Sequence, residues 1–276
     1  MRLPVYSALR YVQPLREGGS LPAIVDTEAG LFVVKFRGAG QGPKALIAEL
    51  IVGLLAQQLG FPVPEPALID VAPAFGRAEP DPEIQEILRG SHGINVGARY
   101  LDGAFNFDPY AAGEYIPPGL ASELVWFDGY TTNPDRTHRN PNILIWQRKP
   151  WLIDHGAAIY AHHSWATADE ERTRTPFPLI KDHVLLAEAD DIESADRRLS
   201  TQLSPGLIDD ILAAVPDSLL RDPLIASEFP TAEAARVRYG EYLLGRLADP
   251  RAFVTEASEA RERRLQQPLL RRTARR

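Results

Sequence analysis

A chain of 276 residues that is 45% hydrophobic and lacks cysteine can bury one large core or two modest ones. It excludes a disulfide scaffold and fits a reducing compartment. The net charge of -7 argues against broad nucleic-acid binding, no apolar run approaches a membrane span, and Met1-Arg-Leu-Pro-Val lacks an apolar signal region, so the cytoplasm is the expected location.

In chain order, the first feature is Arg16-Glu-Gly18-Gly19-Ser20, a glycine pair between strand-like segments. Its backbone N–H groups suit close approach to phosphate, although Gly-Gly is also a common hairpin turn. Residues Gly30 to Arg37 alternate as a strand, with Phe32, Val34 and Phe36 on one face and Leu31, Val33 and Lys35 on the other. Apolar residues on both sides of Lys35 leave its ammonium near low-dielectric surface, where it needs an anion or a path to water. A phosphate or a neighbouring carboxylate meets that need.

A Gly-rich connection from Gly38 to Gly42 leads to a helix expected from Pro43 to Leu59 and closed by Gly60. Leu46, Ile47, Leu50, Ile51, Leu54, Leu55 and Gln58 read as the core side of an amphipathic helix, with Glu49, Gly53 and Ala56 on the narrower opposite side. Val71 to Gly93, punctuated by Pro73, Pro80 and Pro82, reads as a surface excursion. Asn95 to Leu101 reads as a strand, and the aromatic, Pro-rich stretch Phe105 to Pro118 as a cap.

Helices are expected at Leu120–Tyr130, Pro178–Glu188, Asp191–Ser200, Pro205–Val215, Thr231–Ala248 and Ala252–Gln267. Between the first two lies the segment richest in chemistry. Asp135-Arg-Thr-His-Arg-Asn-Pro-Asn142 runs into the apolar Ile143 to Trp146, and after the turn Gln147 to Pro150 a second run, Trp151 to Ile153, ends in Asp154-His-Gly156. This pattern predicts a β-hairpin whose open end brings Asn142 beside Asp154, with Asp135 on the loop leading in. A carboxylate and an amide there form a hard-oxygen pair suited to Mg²⁺ and phosphate. An ordinary long turn uses the same residue types. Without cysteine, zinc is not expected, and His138 and His155 read as loop hydrogen-bonding groups. The arginines from Arg261 to Arg276 read as a solvated basic end.

The ordered set Glu17-Gly-Gly-Ser20, Val34-Lys35-Phe36, Leu46-Ile-Ala-Glu49, Leu55 to Pro64, Asn133-Pro-Asp135-Arg136, Asn142-Ile-Leu and Ile153-Asp154-His-Gly156 resembles the HipA-like kinases. These are protein-kinase-like enzymes whose catalytic loop is also similar to that of phosphatidylinositol kinases. The resemblance implies an α+β, two-lobed protein-kinase-like fold: a strand-rich ATP-binding N-lobe over residues 1–95 and a mainly helical C-lobe over 96–276.

It further implies ATP and Mg²⁺, with Gly18, Gly19, Ser20, Lys35 and Glu49 at the nucleotide. Asp135 would face the acceptor hydroxyl, and Asp154 together with Asn142 or Asn140 the metal. By their charge alone, Arg136 or Arg139 either adds positive charge near the transferring phosphate or belongs to a solvated loop or an internal ion pair. Ser20 becomes a candidate autophosphorylation site. The implied acceptor is a protein Ser or Thr. A small-molecule kinase uses the same residues with a different acceptor pocket, and a non-catalytic nucleotide-binding or antitoxin-binding module is a rival of another class. An antitoxin-like regulator is a further partner the resemblance suggests.

Overall fold

The computed structural model describes residues 1–15, 21–77 and 79–266. Strands β1 (Val5–Pro14), β2 (Ala23–Thr27) and β3 (Gly30–Lys35) pair antiparallel in sequence. The helix α1 (Gly42–Gln58) then leads to β4 (Pro66–Val71), the helix α2 (Pro82–Arg89) and β5 (Gly93–Arg99). β5 pairs with both β3 and β4, and β4 returns to run parallel to β1, closing a five-stranded barrel in the order β1-β2-β3-β5-β4.

Phe32, Val34 and Phe36 fill the barrel interior with Ala23, Val25, Ala67 and Ile69, the face required by their alternation. Gly97 is needed there: a Cβ on it would come within 2.7 Å of Ile69. The excursion between β4 and β5 is more than a loop. Asp81 caps α2 by accepting from the Glu83 N–H, and Ile84 and Leu88 plug the barrel core.

The helix α1 is not amphipathic. Ala45, Ala48, Val52 and Ala56 are buried as well as the leucine and isoleucine positions. The reason is tertiary: α1 packs against β4 and β5 on one side and against C-terminal helices on the other.

The helical part begins after β6 (Phe105–Asn106) and α3 (Ala112–Tyr115) with α4 (Pro118–Thr131), which starts on a proline and ends where Thr132 turns left-handed at φ 50°. The hairpin follows as β7 (Ile143–Trp146) and β8 (Lys149–Leu152), with Ile143 opposite Leu152. Its turn is two residues shorter than the sequence suggests. Gln147 and Arg148 take φ of 49° and 62°, as a tight primed hairpin turn requires, so Lys149 and Pro150 belong to the strand. The proline is tolerated because β8 is an edge strand.

Beyond it come α5 (Glu170–Thr173), α6 (Ile192–Leu199), α7 (Pro205–Ala213), α8 (Asp217–Leu220), α9 (Pro223–Ala226), α10 (Ala232–Leu247) and α11 (Ala252–Gln266). The helix expected over Pro178–Glu188 is instead a short 3-10 turn, Pro178–Asp182, followed by turns. That segment is drawn out by pairing: Val184 N–H donates to the Arg136 carbonyl, and His183 bridges to Thr137. Among the described residues no helix is long and apolar enough to cross a membrane.

Candidate active site

A cleft of about 860 Å³ lies between the barrel and the β7–β8 hairpin, lined by Val33, Lys35 and Val96 from the barrel, Glu49 from α1, and Asn140, Asn142 and Asp154 from the hairpin side. Lys35 reaches it because the alternation that sends Val34 inward sends Lys35 outward from the barrel. The lysine is 8% exposed. Its Nζ donates to Glu49 Oε2 at 2.7 Å and to Asp154 Oδ1. Burial alone would push the Lys35 ammonium down, but Glu49 and Asp154 together hold it above its ordinary value. Conversely, burial would raise the Asp154 carboxyl, and Lys35 overrides this to hold it below the usual range.

Glu49 Oε2 accepts a second bond, from the His155 backbone N–H at 2.7 Å. One carboxylate thereby ties α1 to both the strand lysine and the segment that carries Asp154. Asn142 and Asp154 flank the hairpin, each left-handed (φ 49° and 54°), a conformation short polar side chains tolerate. The Ile153 N–H donates to the Asn142 carbonyl at 3.1 Å, which fixes the two positions side by side.

Asp135 stands on the incoming loop, its backbone N–H held by the Asn133 side chain at 3.1 Å. Its Oδ2 accepts from Asn140 at 2.8 Å and from Asn142 at 3.2 Å. Both asparagines therefore touch Asp135. Asn142 is buried and adjoins the Asp154 strand, whereas Asn140 is exposed.

Arg136 is a correction to the sequence reading. Its side chain is fully buried, not in the cleft, donating to Asp128 Oδ2 at 2.5 Å and to the Asn142 carbonyl at 2.5 Å. Asp128 also pairs with His183 Nε2 at 2.9 Å and accepts from Asn133 at 3.1 Å. Burial would raise the Asp128 carboxyl, but Arg136 and His183 hold it far below the usual range. Arg139, not Arg136, lines the cleft.

His155 also differs from expectation. It is buried against α1, with Cδ2 3.8 Å from where a Cβ on Gly53 would stand, and neither ring nitrogen has a hydrogen-bond partner among the described residues. Burial pushes its imidazole down to about 4.

Gly18, Gly19 and Ser20 lie outside the described residues. Sequence reasoning did not single out Asp128 or His183: a lone aspartate inside an apolar helix and a lone histidine in a turn carry no spacing signal. Nor did it single out Lys44, in the first turn of α1.

The cleft thus gathers a lysine–glutamate pair and, at the hairpin mouth, a neighbouring asparagine and aspartate. Residues 10–188 match the HipA-like kinase family, and the chain belongs to that family. Comparison with curated proteins gives no match. Among solved structures, the chain is similar in fold to a Helicobacter pylori proinflammatory kinase, CtkA, with a TM-score of 0.53 at 13% identity over 96% of this chain and 100% of that one.

Proposed function

We propose that this chain is an ATP- and Mg²⁺-dependent cytoplasmic kinase that transfers the γ-phosphate to a hydroxyl, on a protein Ser or Thr. The barrel region through β5 (Gly93–Arg99), four residues beyond the expected boundary at 95, and the helical region after it act as two lobes around the nucleotide. The carrying observation is Lys35 joined at once to Glu49 and Asp154 on the wall of an 860 Å³ cleft. A buried ammonium at the edge of open volume supports a polyphosphate ligand, with a divalent cation offsetting the two carboxylates.

In this reading the backbone at Arg99 to Leu101 holds the base, and Lys35 holds the α/β-phosphates with Glu49 orienting it. Gly18, Gly19 and Ser20, outside the described residues, keep the phosphate-binding role their resemblance implies. Asp135 orients the acceptor hydroxyl and takes its proton, while the asparagine bonds to its Oδ2 fix the carboxylate's direction. Arg139 adds positive charge at the mouth.

Among the described residues no group of three or more His, Cys, Asp or Glu could hold a metal. One carboxylate (Asp154) and one amide oxygen (Asn142, or Asn140) nevertheless suit Mg²⁺, whose remaining positions go to water and substrate phosphate. Bound there, the ion would neutralise charge on the β- and γ-phosphates. Little covalent help is needed from the protein, because phosphoryl transfer depends chiefly on positioning and charge neutralisation.

The test is label incorporation from γ-labelled ATP with Mg²⁺, using purified protein plus cell extract, beside Asp135→Asn and Asp154→Asn. Label on a protein band with the parent alone is expected. If the parent and both variants label identically, or none labels any protein or small molecule, the reading falls.

A further inference from the structure

Lys44 stands two residues into α1, five before Glu49, and has no place in the cleft. Its Nζ donates to the His162 carbonyl at 2.6 Å, in the turn that follows Asp154-His155-Gly156, and pairs with Glu228 at 2.5 Å. The lysine side chain is 16% exposed, so this is a largely desolvated tie.

A second tie reaches the same C-terminal segment. Arg37, at the other end of the β3–α1 connection, lies 3.7 Å from Asp222, and Gly42 faces the Leu224 side chain. The ends of that connection are thus both anchored to residues 222–228.

We propose that Lys44 is a positioning residue: through Glu228 and the His162 carbonyl it locks α1 to the segment after Asp154, and so holds Glu49 on Lys35. The inference rests on the kinase reading above. In kinases at large, the placement of the helix that bears this glutamate is controlled through the segment after the metal-binding aspartate, commonly by phosphorylation. Here a carboxylate and a carbonyl of the chain itself fill the role a phosphate would take, so α1 needs neither phosphorylation of that segment nor a partner to be seated. Glu228 lies outside residues 10–188, so this half of the lock belongs to the part of the chain that the family match leaves undescribed.

The test compares the full-length parent with Lys44→Met, Glu228→Gln and the double swap Lys44→Glu/Glu228→Lys. ATP KM, kcat and hydrogen exchange are read together, the last over Gly42–Glu49 and Tyr160–Thr167. Either single variant is expected to raise ATP KM about tenfold, a loss typical of a coupled, partly buried contact, to speed exchange in both segments, and to leave α11 unchanged. The swap restores the ion pair but not the bond to the His162 carbonyl, so it should recover the Gly42–Glu49 effect in part and the Tyr160–Thr167 effect little. Unchanged exchange in folded single variants overturns the lock. A parent that transfers no phosphate counts against the kinase reading instead, and exchange then decides the lock by itself.

Discussion

Two charge clusters meet at the Asn133–Asn142 loop, and they differ in one respect: Lys35 with Glu49 and Asp154 opens on a cleft, whereas Asp128 with Arg136 and His183 is sealed. In the sealed cluster Asp128 and Arg136 are fully buried, and each hydrogen bond is spent on another part of the loop. In the open one, Asp154 remains 33% exposed and Lys35 faces empty volume. Ion pairs of similar chemistry thus serve two purposes, the one organising the loop and the other left accessible to a ligand. Burial separates them, and residue type does not.

The comparison breaks most visibly at Asp128. Asp128→Ala strands Arg136 as an uncompensated buried cation, and the expected loss is about 3–5 kcal/mol of stability, read as a lower urea midpoint. A loss under about 1 kcal/mol would mean that the sealed cluster does not organise the loop. Asp135→Asn should do the opposite. Its side chain is partly exposed, so folding should hardly change, while kcat falls about 10²- to 10⁴-fold, the range for a lost general base.

Smaller effects divide the asparagines. Asn142→Ala should raise the half-saturating Mg²⁺ concentration about tenfold, within the range for altered metal surroundings, and lose about 1 kcal/mol because alanine resists the left-handed backbone at 142. Asn140→Ala should leave the Mg²⁺ response in place and lower kcat by loosening Asp135. Reversed Mg²⁺ responses would assign the metal to Asn140.

What could be read from the sequence was what local spacing controls. The β3 alternation put Lys35 opposite the barrel core, and two apolar runs around a short turn brought Asn142 beside the strand that leads to Asp154. What could not be read depends on partners distant in the chain. The parallel pairing of β1 with β4 that closes the barrel is non-local and leaves no periodic trace. The helix α1 shows its core side plainly but not that its other side is also covered. Arg136 sits next to Asp135 in sequence, yet its carboxylate partner is eight residues back on α4, so adjacency to the site was misleading.

His155 provides the last contrast, since it occupies the open cluster's sequence but is packed like the sealed one. Its ring lies buried with neither nitrogen bonded among the described residues, which costs about 1–3 kcal/mol against a nonpolar ring of similar size. The folded imidazole titrates near 4 rather than 6.5, so between those values the unfolded chain binds a proton that the folded one refuses. Stability from this group is complete above pH 6.5, falls as pH drops through that value, and levels off below about 4. The span corresponds to about 3 kcal/mol at 1.36 kcal/mol per unit. His162, which burial also holds well below its ordinary value, adds a slope of the same sign. Asp128 and Asp154, held below the carboxylate range, lose their contributions only at lower pH. His155→Phe should therefore stabilise the protein at pH 7 and reduce, without abolishing, the loss between pH 6.5 and 4.5 in urea titrations. Parallel pH curves for parent and variant would show that the ring gains a proton in the folded state as readily as in the unfolded one, and that its burial is not what separates it from the open cluster.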